Sequence, residues 1–440
     1  WFEVDCFRFL RAQNNQLAFA FPAPGAFSRI TFDATGFSSP QIEVFDILSK
    51  RNITSTRITS SGAEYSIAFR DSLSTPRLYV VVGTGGSRLV PSVKQKMFAD
   101  IRVNTQGADY IIITHRIFLT TAQQVALHRQ TTNGVRTKII DVEDIYDEFN
   151  YGIMNATKLK PFLKHAYQNW TLPKPTYLLL LGDACWDYHR FLSTTINTNF
   201  VPSYGVPVSD NWFVCFNADT SALPSMLVGR IPVRDAVQAQ QMMQKIIGYD
   251  SYLLSEWNKN FLFITGGNDL NEQAQFNAYS EEMINSKVLP PPIGGTAFRV
   301  YKTTRGAIDG ENKRRLKELV RNGLVFMNFI GHSGGRIWGV DIGPPIELEN
   351  TDGKLPFVSS TSCNVGGFAE PSGNVLAEDF LLADNRGSIA SWASSTLGYP
   401  SYGKDLAKDF LQGVRDSIRS LGALTTSAKL KMIRAYGLDY

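Results

Sequence analysis

The sequence predicts an α/β protein with two adjacent parallel-sheet subdomains and flanking helices, preceded by a β-sandwich-like N-terminal domain. Three observations lead there. From residue 109 onward, short apolar runs alternate with segments of helical periodicity, as in parallel strands joined by crossover helices. Before that point the runs are brief and separated by Gly, Pro and Ser turns, the texture of an antiparallel sandwich or jelly roll. The length of 440 residues suits two or three domains of about 100–200 residues each. The expected boundaries are 1–107 for the β-domain, 108–257 for the first α/β subdomain and 258–440 for the second.

Composition narrows the function classes. With 43% hydrophobic and 19% charged residues, the chain reads as an ordinary globular protein with a large core. The net charge of +4 comes from scattered basic residues, so no nucleic-acid partner is expected. No apolar run approaches the roughly 18 residues of a transmembrane helix. The opening WFEVDCFRFL is charged and strand-like rather than a signal peptide, and the abrupt ends suggest a fragment or mature piece of a larger protein. Four cysteines (Cys6, Cys185, Cys215, Cys363) form no CxxC pair, although a Cys185–Cys215 disulfide is open. Five histidines are dispersed without HxxxH or HExxH spacing, which argues against zinc.

In order, QLAFAFPAPG, RITFDATG, QIEVFDIL, TRITSSG, EYSIAF and RLYVVVGTGG supply the strands of the β-domain. GTGGSR (83–88) lacks the Lys-Ser/Thr of a phosphate loop and reads as a hairpin turn. DYIIITH (109–115) is a buried strand, followed by a helix capped at Thr120 or Thr121 and stopped by Asn133-Gly134. After the strand VRTKIIDV, a helix near 157–169 presents Leu159, Phe162, Leu163, Ala166 and Trp170 on one face. His165 falls opposite, so it and His128 read as surface histidines. TYLLLLGD (176–183) is the strongest buried strand. SMLVGRIPVR follows, then a helix from Asp235 with Met242, Met243, Ile246 and Ile247 inward. The second α/β unit begins at NFLFITGGND (260–269), where Asp269 could serve a cation or a turn. It continues through a helix bounded by Asp309 and Gly323, strands at 324–330 and 355–361, a helix near 374–384 and the strand GSIASWASST.

The chemistry concentrates at the ends of two of these strands. His332 lies just beyond 324–330 and Cys363 just beyond 355–361, 31 residues later (363 − 332). Parallel strands deliver their C-terminal loops to one edge, where ligands bind. An imidazole and a thiol can therefore face each other as base and nucleophile. A thiol is mostly protonated at neutral pH and needs help to ionise. His332 and the N-terminus of the helix near Asn374 are the candidate helpers. The backbone N–H groups of Ser333 and Cys363 are candidate oxyanion donors. GHSGG (331–335) also fits G-x-S-x-G with Ser333 as nucleophile. That elbow requires a helix directly after the serine and a later histidine, and the chain has neither. Asp183, Asp187 and Asp210 cluster at or near the end of the strongest strand. Each is open to orienting His332, binding a basic side chain, forming a turn or making a salt bridge.

Eight segments in order, from DYIIITH through IIDVEDIYDEFNYGIMNATKLKPFLKHAY, YLLLLGDACWDY, VPVSDNWF, LVGRIPVRDAVQAQQMMQKIIGYD, NFIGHSGG and SSTSCNVGGF to GSIASWASST, resemble the gingipain-like cysteine peptidases of family C25. These belong to clan CD, with caspases as distant relatives. The DVEDIYDEFNYG segment is most similar to the type IX secretion sortases of that family. The resemblance implies a caspase/gingipain-like fold, with Cys363 as nucleophile and His332 as general base and acid. It also implies Asp210 as an acidic residue near the substrate pocket, and residues 391–395 as a substrate-pairing edge. Ser391, Trp392, Ser394 and Trp338 complete the candidate substrate-binding set, and Asp183 is the candidate orienter of His332. No cofactor is required, although structural calcium is permitted. The implied partners are protein or peptide substrates and outer-membrane secretion components, at an extracellular or bacterial-surface location. Two features depart from the family pattern: His-Ser replaces the usual His-Gly, and the chain ends at GLDY where relatives continue. The function expected is a cysteine endopeptidase or a transpeptidase. The alternative is a catalytically inactive peptidase-fold interaction module.

Overall fold

The computed structural model describes residues 9–22, 27–87, 95–103, 105–217, 222–304 and 310–437. Cys6, Arg88, Asp309 and the last three residues of GLDY lie outside them. Two compact units emerge, residues 1–97 and 98–440.

In the first unit, alternation of buried and exposed residues sets two antiparallel sheets. β1 (Gln16–Phe21), β2 (Ser28–Phe37), β3 (Ile42–Asp46), β4 (Arg51–Asn52), β5 (Thr56–Ser61), β6 (Glu64–Leu73) and β7 (Arg77–Gly83) are arranged as β1-β7-β3-β4 and β2-β6-β5. Leu17, Val44, Tyr79 and Val81 of one sheet and Phe32, Ile67 and Phe69 of the other share one core, as a sandwich requires. The Gly83 carbonyl accepts from Gly86 N at 2.9 Å, so this glycine-rich stretch is a turn.

The second unit holds two wholly parallel sheets. The first comprises β8 (Tyr110–Thr114), β9 (Thr137–Asp141), β10 (Tyr177–Leu181) and β11 (Leu227–Ile231), in the order β11-β10-β8-β9. Helices α1 (Leu119–Asn133) and α4 (Ala236–Asp250) cover one face, while α2 (Val142–Asn150) and α3 (Leu159–Asn169) cover the other. As expected, Gly134 ends α1 in the left-handed conformation at φ 68°, and Asp235 caps α4 through Gln238 N. α3 buries Leu159, Phe162, Leu163 and Ala166. One inference needs correction and one open alternative is decided. Lys245, not Ile247, is the inward residue of α4, and Ile247 is 43% exposed. Cys185 and Cys215 are separate, buried free thiols.

The second sheet comprises β12 (Asn260–Thr265), β13 (Thr296–Tyr301), β14 (Phe326–Ile330), β15 (Phe357–Ser360) and β16 (Ala390–Ala393), in the order β13-β12-β14-β15-β16. α6 (Gly310–Asn322) and α7 (Leu376–Leu382) pack on one face. α5 (Leu270–Met283), α8 (Pro400–Arg415) and α9 (Leu421–Tyr436) pack on the other. Short strands buried on both faces explain the near-continuous apolar runs of the sequence. α7 also ties the two sheets together. Its Leu381 and Leu382 pack into the core under α1 and α4, and the buried Lys245 amine donates to the Leu381 and Ala383 carbonyls at 2.8 and 3.0 Å.

Trp338 belongs to this core rather than to a binding surface. It is 2% exposed, stacks on Phe329 at 4.5 Å and donates Nε1 to Ser360 Oγ at 2.9 Å. Its assignment to substrate binding is therefore corrected. Replacing it with alanine is expected to destabilise the protein by about 3–5 kcal/mol, read as a lowered midpoint in chemical denaturation.

Candidate active site

The two parallel strands β14 and β15 fix the site. Their register pairs Phe326 with Phe357 and Phe329 with Ser360. The ladder ends there, and His332 (329 + 3) and Cys363 (360 + 3) each follow its last pair by three residues. The loops are joined at that level, because Ser333 Oγ donates to the Cys363 carbonyl at 2.6 Å. The serine that departs from the family pattern thus turns its hydroxyl toward the partner loop. No helix follows Ser333. The chain instead folds back, with Gly339 N donating to His332 O at 2.6 Å, so the serine-elbow geometry is absent. Among the described residues, neither the Ser333 nor the Cys363 backbone N–H has a backbone partner. Both remain candidate oxyanion donors.

His332 is half-exposed, and its Nε2 lies 3.1 and 3.2 Å from the two carboxylate oxygens of Glu272. Phe276 meets the imidazole edge-on, with ring centres 6.1 Å apart. Glu272 comes from the first turn of α5, directly after β12. Asp269 caps that helix by accepting from Asn271 N and Glu272 N at 2.8 and 2.9 Å. Glu272, His332 and Cys363 thus follow three neighbouring strands, β12, β14 and β15, along one sheet edge. Glu272 escapes the sequence reasoning. Its one signal is the spacing Asp269-x-x-Glu272 after a buried strand, which reads as an ordinary helix start.

The Cys363 sulfur sits beside Gly398, 3.4 Å from its N and 3.7 Å from its O. Gly398 needs to be glycine, since a Cβ there would lie 2.0 Å from the Thr361 carbonyl oxygen. The first amides of α7 do not point at the thiol. Leu376 N donates to Gly335 O and Ala377 N to Val365 O, so the expected help from that helix end is not available.

The acidic candidates resolve differently from expectation. Asp183 is fully buried and bound by Arg234 Nε at 2.7 Å, so Glu272 rather than Asp183 accompanies His332. Asp187 shapes a turn by accepting from Phe191 N and Leu192 N. Asp210 is spent on Arg230, with Nε and Nη2 at 2.7 and 2.8 Å from its two oxygens, which removes it as a free anion for a basic substrate side chain. The segment after β16 is occupied by the Cys363 loop: Ser394 O accepts from Gly366 N and Thr396 O from Asn364 N, both at 2.8 Å. Those carbonyls are not open to a substrate backbone. The Ser391 hydroxyl pairs with Ser388 and the Ser394 hydroxyl with Thr396 O. Trp392 lines a cavity of about 270 Å3 next to Cys363, with Thr361, Ser394, Gly398, Tyr399 and Lys429 on its walls. A larger cavity, about 790 Å3, also touches Trp392 but is lined by residues of β11 and β16 and of the helices around them, with neither His332 nor Cys363 on its walls.

His128 and His165 are hydrogen-bonded rather than free, to Asp250 at 2.8 Å and to Arg102 O at 3.0 Å. Among the described residues no three His, Cys, Asp or Glu side chains converge as a metal set, and no helix is long and apolar enough to cross a membrane.

An imidazole and a thiol delivered to one edge by neighbouring parallel strands, backed by a carboxylate, define a class: an α/β fold of cysteine-peptidase type. Residues 103–439 match the model of peptidase family C25, and the chain belongs to that family. Among solved structures it is similar to the complex of the pro- and mature domains of RgpB from Porphyromonas gingivalis. That match has 16% identity and a TM-score of 0.58 and covers 75% of each chain. A structure described as a protease matches at 16% identity and a TM-score of 0.52, over 68% of this chain and 62% of the other. Dimeric latent PorU from Porphyromonas gingivalis matches at 19% identity and a TM-score of 0.42. This covers 57% of the present chain but only a quarter, 25%, of that protein. At these identities the likeness is one of fold. No curated protein sequence matches the chain.

Next to the site, Asp183 and Glu378 share one guanidinium, with Arg234 Nη2 3.5 Å from Glu378 Oε1. Burial pushes Asp183 up to about 6. Burial and the Asp183 charge together push Glu378 well above the usual carboxylate range. Because both folded-state values lie above the unfolded ones, the folded state keeps protons that the unfolded chain has lost. The contribution of this pair to stability is therefore fullest below about pH 4 and is lost as pH rises through 6 and above. Glu378→Gln removes one charge and keeps an oxygen for the Val375 N–H. It is expected to be nearly neutral at pH 4 and to stabilise by about 1–3 kcal/mol at pH 8, measured as the difference in melting temperature across that range.

Proposed function

We propose that this C25-family chain is a cysteine endopeptidase in which Cys363 attacks the peptide carbonyl. The observation that carries the reading is the parallel pairing of β14 and β15, whose following loops carry His332 and Cys363 and are joined by the Ser333 hydroxyl on the Cys363 carbonyl. In the reaction, His332 takes the thiol proton and the thiolate adds to the carbonyl carbon. The resulting oxyanion is met by the N–H groups of Ser333 and Cys363. Collapse of the tetrahedral intermediate breaks the C–N bond. His332 returns the proton to the departing amine, which leaves a thioester on Cys363. Glu272 acts as a positioning residue that holds the imidazole and offsets its positive charge while it carries the proton. Water then resolves the thioester in a peptidase, or an incoming amine does so in a transpeptidase of the sortase kind. Protein substrates met outside the cell or at a bacterial surface suit both outcomes.

A thiol-reactive peptidyl probe tests the proposal. Labelling is expected in the wild type, lost in Cys363→Ala and kept in Cys185→Ala and Cys215→Ala, because burial pushes both of those thiols up. Absence of label at Cys363 in folded protein, read by intact mass, would leave only the non-catalytic interaction module. In turnover, His332→Ala is expected to lose about 10²–10⁴-fold in kcat/KM. Glu272→Gln is expected to lose about 10–100-fold, with its pH–rate profile moved to lower pH than in Glu272→Asp, because the imidazolium loses its neighbouring negative charge. Mass spectrometry of products with and without an added amine separates hydrolysis from transfer.

A further inference from the structure

The peptidase reading uses the backbone N–H of Ser333 and leaves its hydroxyl without a part. That hydroxyl donates to the Cys363 carbonyl at 2.6 Å, and so joins the loop after β14 to the loop after β15. Among the described residues, neither the Ser333 nor the Cys363 N–H has a backbone partner. The two residues are thus tied through one side chain and one carbonyl while both amides stay open. The backbone around them is already committed. On the histidine side, His332 O accepts from Gly339 N at 2.6 Å, and Ser333 forms an antiparallel bridge with Trp338. On the cysteine side, Asn364 N donates to Thr396 O at 2.8 Å, with Asn364 in the left-handed conformation at φ 60°. The Cys363–Asn364 peptide is therefore gripped at both polar groups, its carbonyl by Ser333 and its N–H by Thr396. The sulfur has a separate contact, 3.4 Å from Gly398 N.

Resting on the peptidase reading, we infer that the Ser333 hydroxyl is a positioning group, which fixes the two oxyanion donors relative to each other through its bond to the Cys363 carbonyl. Donors stabilise a developing oxyanion best when they are set in place before the charge appears. Here they belong to different loops, and strand pairing ends at Phe329 and Ser360, before either donor. Trp338 Nε1 on Ser360 Oγ, at 2.9 Å, ties the histidine loop to the last residue of β15, three residues short of Cys363. The Ser333 hydroxyl supplies a tie at the donors themselves. Without it both N–H groups are still present, but their loops are free to shift apart. The cost falls on steps in which a carbonyl oxygen gains charge. Substrate binding is spared, so kcat falls and KM does not. Simple alkylation of the sulfur is spared as well, because it forms no oxyanion.

The test compares the wild type with Ser333→Ala, which removes the hydroxyl, and Ser333→Thr, which keeps it. Three probes are used. The first is a fluorogenic peptide selected by wild-type turnover. The second is the matching peptide aldehyde, whose C=O takes up the thiol to form a C–S bond, with the thiol proton passing to the oxygen. The third is iodoacetamide, which alkylates Cys363 with loss of iodide. Ser333→Ala is expected to lower kcat about tenfold, with KM and the iodoacetamide rate within about twofold of the wild type. Aldehyde affinity is expected to fall by the same factor as kcat, and Ser333→Thr to recover most of both losses. An unchanged kcat in Ser333→Ala overturns the inference, as does a loss carried by KM. So does an iodoacetamide rate that falls as far as kcat, or a threonine variant as slow as the alanine one. A Ser333→Ala chain that does not fold gives the hydroxyl a structural role and overturns it too. All of these leave the peptidase reading intact. A wild type that neither cleaves peptides nor labels at Cys363 overturns both.

Discussion

The pairing of β14 with β15 is the constraint on which the rest depends. Parallel neighbours share direction, so whatever follows each strand appears on the same edge at about 4.8 Å spacing. Here the ladder pairs residues that differ by 31, as in Phe329 with Ser360, and His332 and Cys363 differ by the same 31. A one-residue slip in either strand would move the thiol away from the imidazole and turn buried side chains outward. The register is protected by packing on both faces. Met327, Phe329 and Val358 enter the α6–α7 core, while Phe326 and Phe357 meet Phe410 of α8, with ring centres 5.8 and 4.8 Å away. The placement of the two strand ends and the packing of the core are thus one requirement, set by the same few apolar residues.

A second layer of the design holds the loops that leave this edge. The loop after β10 reaches across to the chain beyond Cys363: Trp186 N donates to Ala369 O at 3.1 Å, and Asn197 Nδ2 to Glu370 O at 2.6 Å and Gly373 O at 3.2 Å. Arg234 joins Asp183 at the end of β10 to Glu378 of α7. Lys245 caps the far end of that helix. These contacts bury charge, which is expensive, and the strain shows in the raised carboxyls of Asp183 and Glu378. What they provide is position: seven-residue α7 is too short to be stable alone. With both ends fastened to the first sheet, it supports the loop that carries Cys363.

Much of this was legible in the sequence because local signals and tertiary structure agree. The apolar runs at 109–115, 176–183 and 324–330 are buried strands. Asn133-Gly134 and Asp235 mark helix ends as their backbone chemistry dictates. His332 and Cys363 could be paired because strand ends in a parallel sheet converge by rule. Partnership between residues far apart in sequence could not be read. Glu272 looks like a helix cap, since only the adjacency of β12 and β14 makes it a neighbour of His332, 60 residues away. Asp183 and Asp210 looked available because nothing in the sequence shows that Arg234 and Arg230 reach them from the next strand. Trp338 stands among the candidate binding residues of the sequence, yet the chain turns back after His332 and buries it. Helices α8 and α9, which close the far face of the second sheet, carry ordinary end signals: Pro400 in the first turn of α8, and Ser420 and Gly437 at the two ends of α9.

The fate of the two aspartates has a consequence for how charge is distributed around the site. With Asp210 matched to Arg230 and Asp183 to Arg234, the anions near the end of the first sheet are neutralised internally. Among the described residues, the carboxylate that meets His332 is Glu272. It follows β12, on the other side of β14 from β15, the strand that precedes Cys363. In strand order the carboxylate thus stands next to the imidazole and away from the thiol, a position from which it favours a protonated imidazole without adjoining the sulfur.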